Sequence, residues 1–223
     1  MRRFEEDFKL LNDTLQEMGG LVAHSVHKSV FSLFDRNEDY AHQVLRDESR
    51  IDQMEIQIDD LAASLIVREQ PMARDMRFVV VAIKINTDLE RMGDLAVNVV
   101  ERSLSLMGQP PLPEAVDFRE IANLVESMVL SSLEAFVKRD AQIARSVLTS
   151  DDAVDKCRNT IHRQAMELMQ RDPSTVARAV DHLIIARSLE RIGDHATNIA
   201  EDVIFMVQGI DVRHQQASET VQG

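Results

Sequence analysis

The chain has 223 residues, of which 44% are apolar and 28% charged, a globular composition with enough length for one or two domains that bury real cores. Its 25 Lys and Arg against 38 Asp and Glu leave a net charge of −13, which argues against binding duplex nucleic acid, where affinity comes largely from neutralising phosphates. With 4% aromatics and no Trp there is no stacking platform for single strands, and one cysteine, Cys157, excludes an internal disulfide or a thiolate metal cage.

Seven glycines, five prolines and long stretches of 3.6-residue periodicity predict an all-α chain. The first helix is expected over Phe8 to Phe34, with a weak point at Gly19-Gly20, where two glycines lower helix propensity. Asn37-Glu38-Asp39 predicts a turn and cap, followed by a second helix ending near Glu69. Pro71 fits the first turn of a third helix that runs to about Met107. Within it, Phe78-Val79-Val80-Val81-Ala82-Ile83 is the longest apolar run in the chain and is far too short to span a bilayer. The N-terminus turns acidic at Glu5-Glu6-Asp7, where a secretory signal would need an apolar stretch, so a cytoplasmic location is expected.

Gly108-Gln109-Pro110-Pro111-Leu112-Pro113 holds three of the five prolines and predicts the boundary between two units. This places a first unit over 1–108, a linker over 109–116 and a second unit over 117–208. The second unit reads as helices at about 117–138, 141–170 and 174–207. Residues 209–223 lose periodicity and form a polar tail. Three long helices joined by short turns in each half predict up-down-up antiparallel bundles. A thirty-residue helix reaches about 45 Å, so an elongated molecule is expected. The eleven methionines are spread through the apolar stripes and read as core filler.

The halves repeat one another. Leu89-Glu90-Arg91-Met92-Gly93-Asp94-Leu95-Ala96-Val97-Asn98-Val99-Val100-Glu101 returns as Leu189-Glu190-Arg191-Ile192-Gly193-Asp194-His195-Ala196-Thr197-Asn198-Ile199-Ala200-Glu201. What is kept is mostly polar, and a polar repeat points to a site rather than to a core. Upstream, the block from Tyr40 to Asp52 parallels that from Ile143 to Asp155.

In the third helix Glu90, Asp94, Asn98 and Glu101 fall within an arc of about 80°. In the second, Glu48, Asp52, Glu55 and Asp59 form another acidic stripe. Like charges at i, i+4 are mildly unfavourable in a helix, so something should compensate for holding them together. The seven acidic pairs at this spacing are about what 38 carboxylates give by chance, so the argument rests on placement. Glu48/Asp52 matches Asp151/Asp155, and Glu90/Asp94 matches Glu190/Asp194. Antiparallel packing would gather four carboxylates per half, and hard oxygen donors in that number suit Mg²⁺, Mn²⁺, Ca²⁺ or iron. The residues alone leave solvated acidic helix faces open as the other reading.

Glu-Arg-Met-Gly-Asp-Leu-Ala-Val-Asn and Glu-Arg-Ile-Gly-Asp-His-Ala-Thr-Asn, each with an upstream Glu/Asp-x-x-x-Asp pair, resemble the PhoU family of phosphate-transport regulators, over about residues 5–208. The resemblance implies an all-α fold of two homologous three-helix bundles related by pseudo-two-fold symmetry. It implies metal ligation by Glu48, Asp52, Glu90 and Asp94 in the first half and by Asp151, Asp155, Glu190 and Asp194 in the second. Asn98 and Asn198 would be supporting ligands, with iron, zinc, Mn or Mg as the metal. It further implies a cytoplasmic, dimeric, non-enzymatic negative regulator that links the phosphate ABC transporter, through its ATP-binding subunit, to a sensor histidine kinase.

Several positions qualify this expectation. Arg91 and Arg191 lie about 100° off the ligand face and are expected in helix-to-helix salt bridges. Gly93 and Gly193 are costly inside helices and are expected where a neighbouring helix or a metal-bridging group comes close. Glu55 and Asp59 align with Arg158 and His162, so weaker or differently populated metal binding is expected in the second half. His162 and His195 read as packing or surface residues. A di-iron enzyme of the ferritin type would need Glu-x-x-His on two helices, and no Glu here has a His three residues on. A metal-free acidic scaffold that docks basic partners is the remaining rival.

Overall fold

Seven α-helices account for nearly all of the computed structural model, which describes residues 2–112 and 116–213, with side chains from residue 5 onward. Among the described residues there is no strand. Pro113 of the expected linker and residues 214–223 of the expected polar tail lie outside the described residues. Helices α1 (Arg2–Asp35), α2 (Glu38–Glu69) and α3 (Ala73–Met107) form one three-helix bundle. Helix α4 (Arg119–Lys138), the pair α5 (Ala141–Leu148) and α6 (Asp151–Arg171), and α7 (Val176–Gln208) form the second. No helix among the described residues is long and apolar enough to cross a membrane.

The bundles follow from apolar spacing. In α3, Phe78, Ala82, Ile85, Leu89, Met92, Ala96 and Val99 recur every three or four residues and are all buried, so one stripe faces α1 and α2. In α7, Ile185, Leu189, Ile192, Ala196, Ile199 and Val203 repeat the pattern. Burying each Leu, Ile, Val or Met side chain is worth roughly 1.5–3 kcal/mol. Helices α3 and α7 also pack on each other more extensively than any other pair, so the two bundles share one continuous core from Leu11 to Val212.

The seam between α3 and α7 carries the buried charge. Lys84 Nζ lies 2.7 Å from Asp202 Oδ1, and Asp202 is buried. Ser105 Oγ donates to Asp181 Oδ2 at 3.0 Å, and Arg102 lies 3.6 Å from the same buried carboxylate. His195 Nδ1 is 2.8 Å from Asp88 Oδ1, and Asn198 Nδ2 donates to that oxygen at 3.2 Å. Two arginines strap the connection between the bundles. Arg36 donates to the carbonyls of Leu106, Met107 and Gln109 at the C-terminal end of α3, where a cation suits the helix dipole. Arg178 donates to those of Pro110 and Pro111.

Three local expectations need correction. Helix α1 runs unbroken through Gly19-Gly20; a Cβ on Gly19 would come within 2.7 Å of Leu133 Cδ2 in α4, so the glycine serves close packing between the bundles. Pro71 precedes the third helix, which begins at Ala73. The helix expected over 141–170 is two helices with a break at Thr149-Ser150. There Thr149 Oγ1 and Ser150 Oγ both bond back to the Ser146 carbonyl, at 2.8 and 3.3 Å, and so compete with helical continuation. Asp151-Asp152 then open α6 with acidic residues in its first turn, where negative charge is favourable. The cap at Asn37 is as expected, its side chain accepting from Asp39 N at 2.9 Å.

The repeated glycines are not equivalent. A Cβ on Gly93 would meet Ile51 Cδ1 at 3.2 Å, whereas on Gly193 the nearest atom, Val154 Cγ1, would stand at an ordinary 3.7 Å. Gly193→Ala should therefore stabilise chelator-treated protein by about 0.5–1 kcal/mol, the usual gain from removing a mid-helix glycine. Gly93→Ala should give no gain, because the buried Ile51 must move. Urea denaturation of both variants checks the contrast.

Candidate metal centres

The first carboxylate group is built across the groove between α2 and α3. Glu48, Asp52 and Glu55 project from α2; Glu90 and Asp94 project from α3. Asn86, one turn before Glu90 and fully buried, ties the two helices together. Its Nδ2 donates to the Glu55 carbonyl at 3.0 Å and to Asp59 Oδ1 at 3.1 Å, which fixes the register of α3 against α2.

The electrostatics show that these residues form one group. Burial pushes the Glu90 carboxyl up, and Asp94, Glu55 and Asp52 add to the rise while Arg91 opposes it. Glu48 is likewise raised, by burial first and then by Asp52, Asp94 and Glu101. Glu55 is raised by burial and by Asp59 and Asp52, again against Arg91. Each carboxylate thus feels charges from the facing helix, and ionising all of them together is unfavourable. Glu90 Oε2 is buried and accepts no hydrogen bond. Arg91 Nε is 3.3 Å away, near enough to attract but outside hydrogen-bonding geometry. Arg91 Nη1 also reaches Asp94 Oδ2, at 3.3 Å, so this arginine pairs along its own helix and does not bridge helices as expected. Arg191 is exposed.

The second group lies across α6 and α7. Asp151 and Asp155 occupy the first turns of α6, and Glu190 and Asp194 face them from α7. Asp194 is exposed, yet its carboxyl is pushed up to about 6, by partial desolvation first and then by Glu190 and Asp151, against His195. Asp151 is raised by burial and by Asp155, Asp152 and Glu190, with the Thr197 hydroxyl working against the shift. Arg158 enters this group directly. Its Nη2 lies 3.3 Å from Glu190 Oε1 and 3.4 Å from Asp155 Oδ1.

The structure therefore brings Glu48, Asp52, Glu90 and Asp94 to one groove and Asp151, Asp155, Glu190 and Asp194 to another. It treats the asparagines differently. Asn98 is exposed one turn beyond Asp94, and the amide of Asn198 is committed to Asp88 at the seam. His195 joins the same contact, and His162 is exposed. Asn86 and Asp88 were not singled out in the sequence because their repeat partners are Ala186 and Ser188, so a search for repeated polar residues passes over them.

Donor chemistry fits a hard cation: carboxylates only, mutually destabilised, with a buried Glu90 oxygen that lacks a hydrogen-bond donor. Among the described residues no three His, Cys, Asp or Glu side chains close on a common point. The carboxylates line each groove without forming a finished cage.

Comparison with known proteins gives a consistent picture. A family model described as the PhoU domain matches twice, over residues 15–103 and 118–203. The chain is 39% identical to a phosphate-specific transport system accessory protein PhoU homolog of Pseudomonas aeruginosa, covering 96% of this chain and 88% of that one. It is 37% identical to the Pseudomonas putida protein of the same name, covering 96% and 84%. The crystal structure of PhoU from Pseudomonas aeruginosa superposes with a TM-score of 0.90 at 38% identity, over 93% of this chain and 100% of that one. The phosphate transport system regulatory protein PhoU from Streptococcus pneumoniae superposes at 0.85 and 25% identity, over 94% and 99%.

Asp194 offers a direct check on the electrostatics. Its folded value of about 6 lies above its ordinary 3.8, so the contribution of its protonated form to stability is fully present below about pH 4 and is lost as pH rises through 6. In chelator-treated protein Asp194→Asn, which mimics the protonated acid, should melt a few degrees above wild type at pH 7.5. At pH 3.5 the two should coincide. Thermal unfolding followed by circular dichroism at both pH values reads this out.

Proposed function

The chain belongs to the PhoU family, and on that premise we propose that it is a non-catalytic accessory protein of phosphate transport whose acidic grooves hold metal ions. The observation that carries this reading is the duplicated set of four carboxylates, one pair on each of two facing helices in both halves, with a buried Glu90 oxygen left without a hydrogen-bond donor. Glu48, Asp52, Glu90 and Asp94 would hold the ion in the first half. Asp151, Asp155, Glu190 and Asp194 offer the equivalent donors in the second, where Arg158 competes for them. A bound metal ion, whether Mg²⁺, Mn²⁺, zinc or iron, would add positive charge beyond that of Arg91 in the first group and Arg158 in the second.

The chain's own residues then set the mechanism. Asn86 fixes α3 against α2 at one turn, while the ionised Glu48, Asp52, Glu90 and Asp94 repel one another along the next turns. Neutralising them removes that repulsion and fixes how the second and third helices of the bundle sit, and with it the surface presented to partners. Under this reading the protein is cytoplasmic and works as a homodimer. It restrains phosphate-starvation signalling by docking on the ATP-binding subunit of the phosphate transporter and on the sensor histidine kinase. The names of its relatives support a role in that transport system, and the docking partners follow from the family resemblance.

Replacing Glu90 and Asp94 together with Ala should remove first-half metal from gently purified protein, measured per chain by elemental analysis, while helicity by circular dichroism stays at the wild-type level. In cells lacking the native gene, this variant should leave a phosphate-starvation reporter switched on in high phosphate, where the wild type silences it. Retained silencing by a metal-free variant would favour an acidic scaffold that docks basic partners without metal. Loss of helicity would assign the carboxylates to folding.

A further inference from the structure

The two carboxylate groups share a sequence pattern but differ at two positions that bear on what each can bind. At the place where the first half has Glu55, the second half has Arg158, and where the first has Asp59, the second has His162. The second group therefore has an arginine where the first has the carboxylate of Glu55. Arg91 and Arg191 are common to both sequences but are placed differently: Arg91 lies 3.3 Å from Glu90 and from Asp94, whereas Arg191 is exposed, so the groups differ in how their arginine is placed.

Arg158 sits where a bridging ion would have to act. A single guanidinium nitrogen, Nη2, lies 3.3 Å from Glu190 Oε1 on α7 and 3.4 Å from Asp155 Oδ1 on α6, so one cation contacts a carboxylate from each of the two helices. Its other terminal nitrogen donates to Asn159 Oδ1 at 2.7 Å, which orients the plane of the group, and two-thirds of the side chain is shielded from solvent. In the first half Arg91 makes its ion pairs with Glu90 and Asp94 of its own helix, favours the ionised form of Glu55 across the groove, is more than half exposed, and leaves Glu90 Oε2 without a hydrogen bond. Glu55 there raises the negative charge on the groove and does not lower it.

We propose that Arg158 is the resident cation of the second-half group, so that multivalent metal is taken up by the first half alone while in the second a guanidinium already joins the two facing helices. A guanidinium stays charged across the whole physiological range. The second bundle thus keeps one helix arrangement whatever the metal supply, and only the first responds to it. A metal ion entering the second group would have to displace a guanidinium that joins carboxylates of both helices and is two-thirds shielded, whereas Arg91 in the first group pairs along α3 and is more than half exposed. This inference rests on the reading that the first-half carboxylates hold metal.

Mn²⁺ titration calorimetry on the full-length chain, with elemental analysis per chain, tests it. Wild-type uptake should vanish in Glu90→Ala/Asp94→Ala and persist in Glu190→Ala/Asp194→Ala. Arg158→Glu, which restores the acid found at the equivalent first-half position, should double the uptake, and adding Glu190→Ala/Asp194→Ala to it should remove the gain. Arg158→Ala, which packs less charge into the groove, gives the same readout should Arg158→Glu fold poorly. Glu55→Arg should weaken first-half binding at least tenfold. Wild-type uptake that falls by half in Glu190→Ala/Asp194→Ala would overturn the inference and leave metal binding by both halves standing, as would folded Arg158 variants that gain no metal. Absence of Mn²⁺ from every variant would overturn both this inference and the metal reading on which it rests.

Discussion

Helices α3 and α7 are each asked to serve two packing surfaces at once, and the rest of the structure follows from that constraint. Each forms the inner wall of its own three-helix bundle, and each packs against the other to join the bundles. Little of their circumference is left for polar groups. In α3 the strip that remains carries Glu90, Asp94, Asn98 and Glu101, and in α7 it carries Glu190, Asp194, Asn198 and Glu201. Carboxylates are thus concentrated along a narrow groove beside a well-packed core, which is why their charges act on one another and why Glu48, Glu55, Glu90, Asp151 and Asp194 are all harder to ionise than usual.

The packing that concentrates the charge also resists it. Ile51, Leu89 and Met92, on the two helices that carry the first group, are buried in the core, and the Asn86 contacts pin those helices together. Repulsion among four or five carboxylates is therefore stored in a site that cannot simply open. Such a site favours a cation, and the halves meet that demand in different ways. The first leaves Glu90 Oε2 without a donor, while the second brings Arg158 to carboxylates from both helices. The two grooves thus differ in how an arginine meets them: Arg91 pairs along one helix in the first, and Arg158 reaches carboxylates of both helices in the second.

Much of this was legible in the amino-acid order because repetition separates function from packing. Apolar positions tolerate exchange among Leu, Ile, Val and Met, as Met92 and Ile192 show, whereas Glu90, Arg91, Gly93 and Asp94 return unchanged as Glu190, Arg191, Gly193 and Asp194. The eight carboxylates and the all-helical, two-bundle fold were read in this way. The same filter hid Asn86 and Asp88, whose partners in the other half are Ala186 and Ser188, and it gave Asn98 and Asn198 a common role that the structure does not give them. The seam ion pairs, Lys84 with Asp202 and Arg102 with Asp181, escaped for the same reason. Their repeat counterparts are Ile184, Arg102, Asp202 and Val81, so neither pair is duplicated.

Periodicity and repetition are local or pairwise properties of a chain, and by themselves they determined most of the helices, though not the break at Thr149-Ser150, together with the order of the two halves and the faces on which acid is displayed. They could not determine which faces meet. Whether Gly93 and Gly193 are crowded, whether Arg91 crosses to another helix, and whether Asn198 turns toward the carboxylates or the seam depend on distances between residues many positions apart. Those distances are set only when α3 and α7 pack. Pseudo-symmetry makes the two halves look interchangeable in sequence, but a single shared interface gives each half different neighbours. The tertiary structure alone decided which carboxylates are shielded, which are paired, and which helix supplies the arginine that meets them.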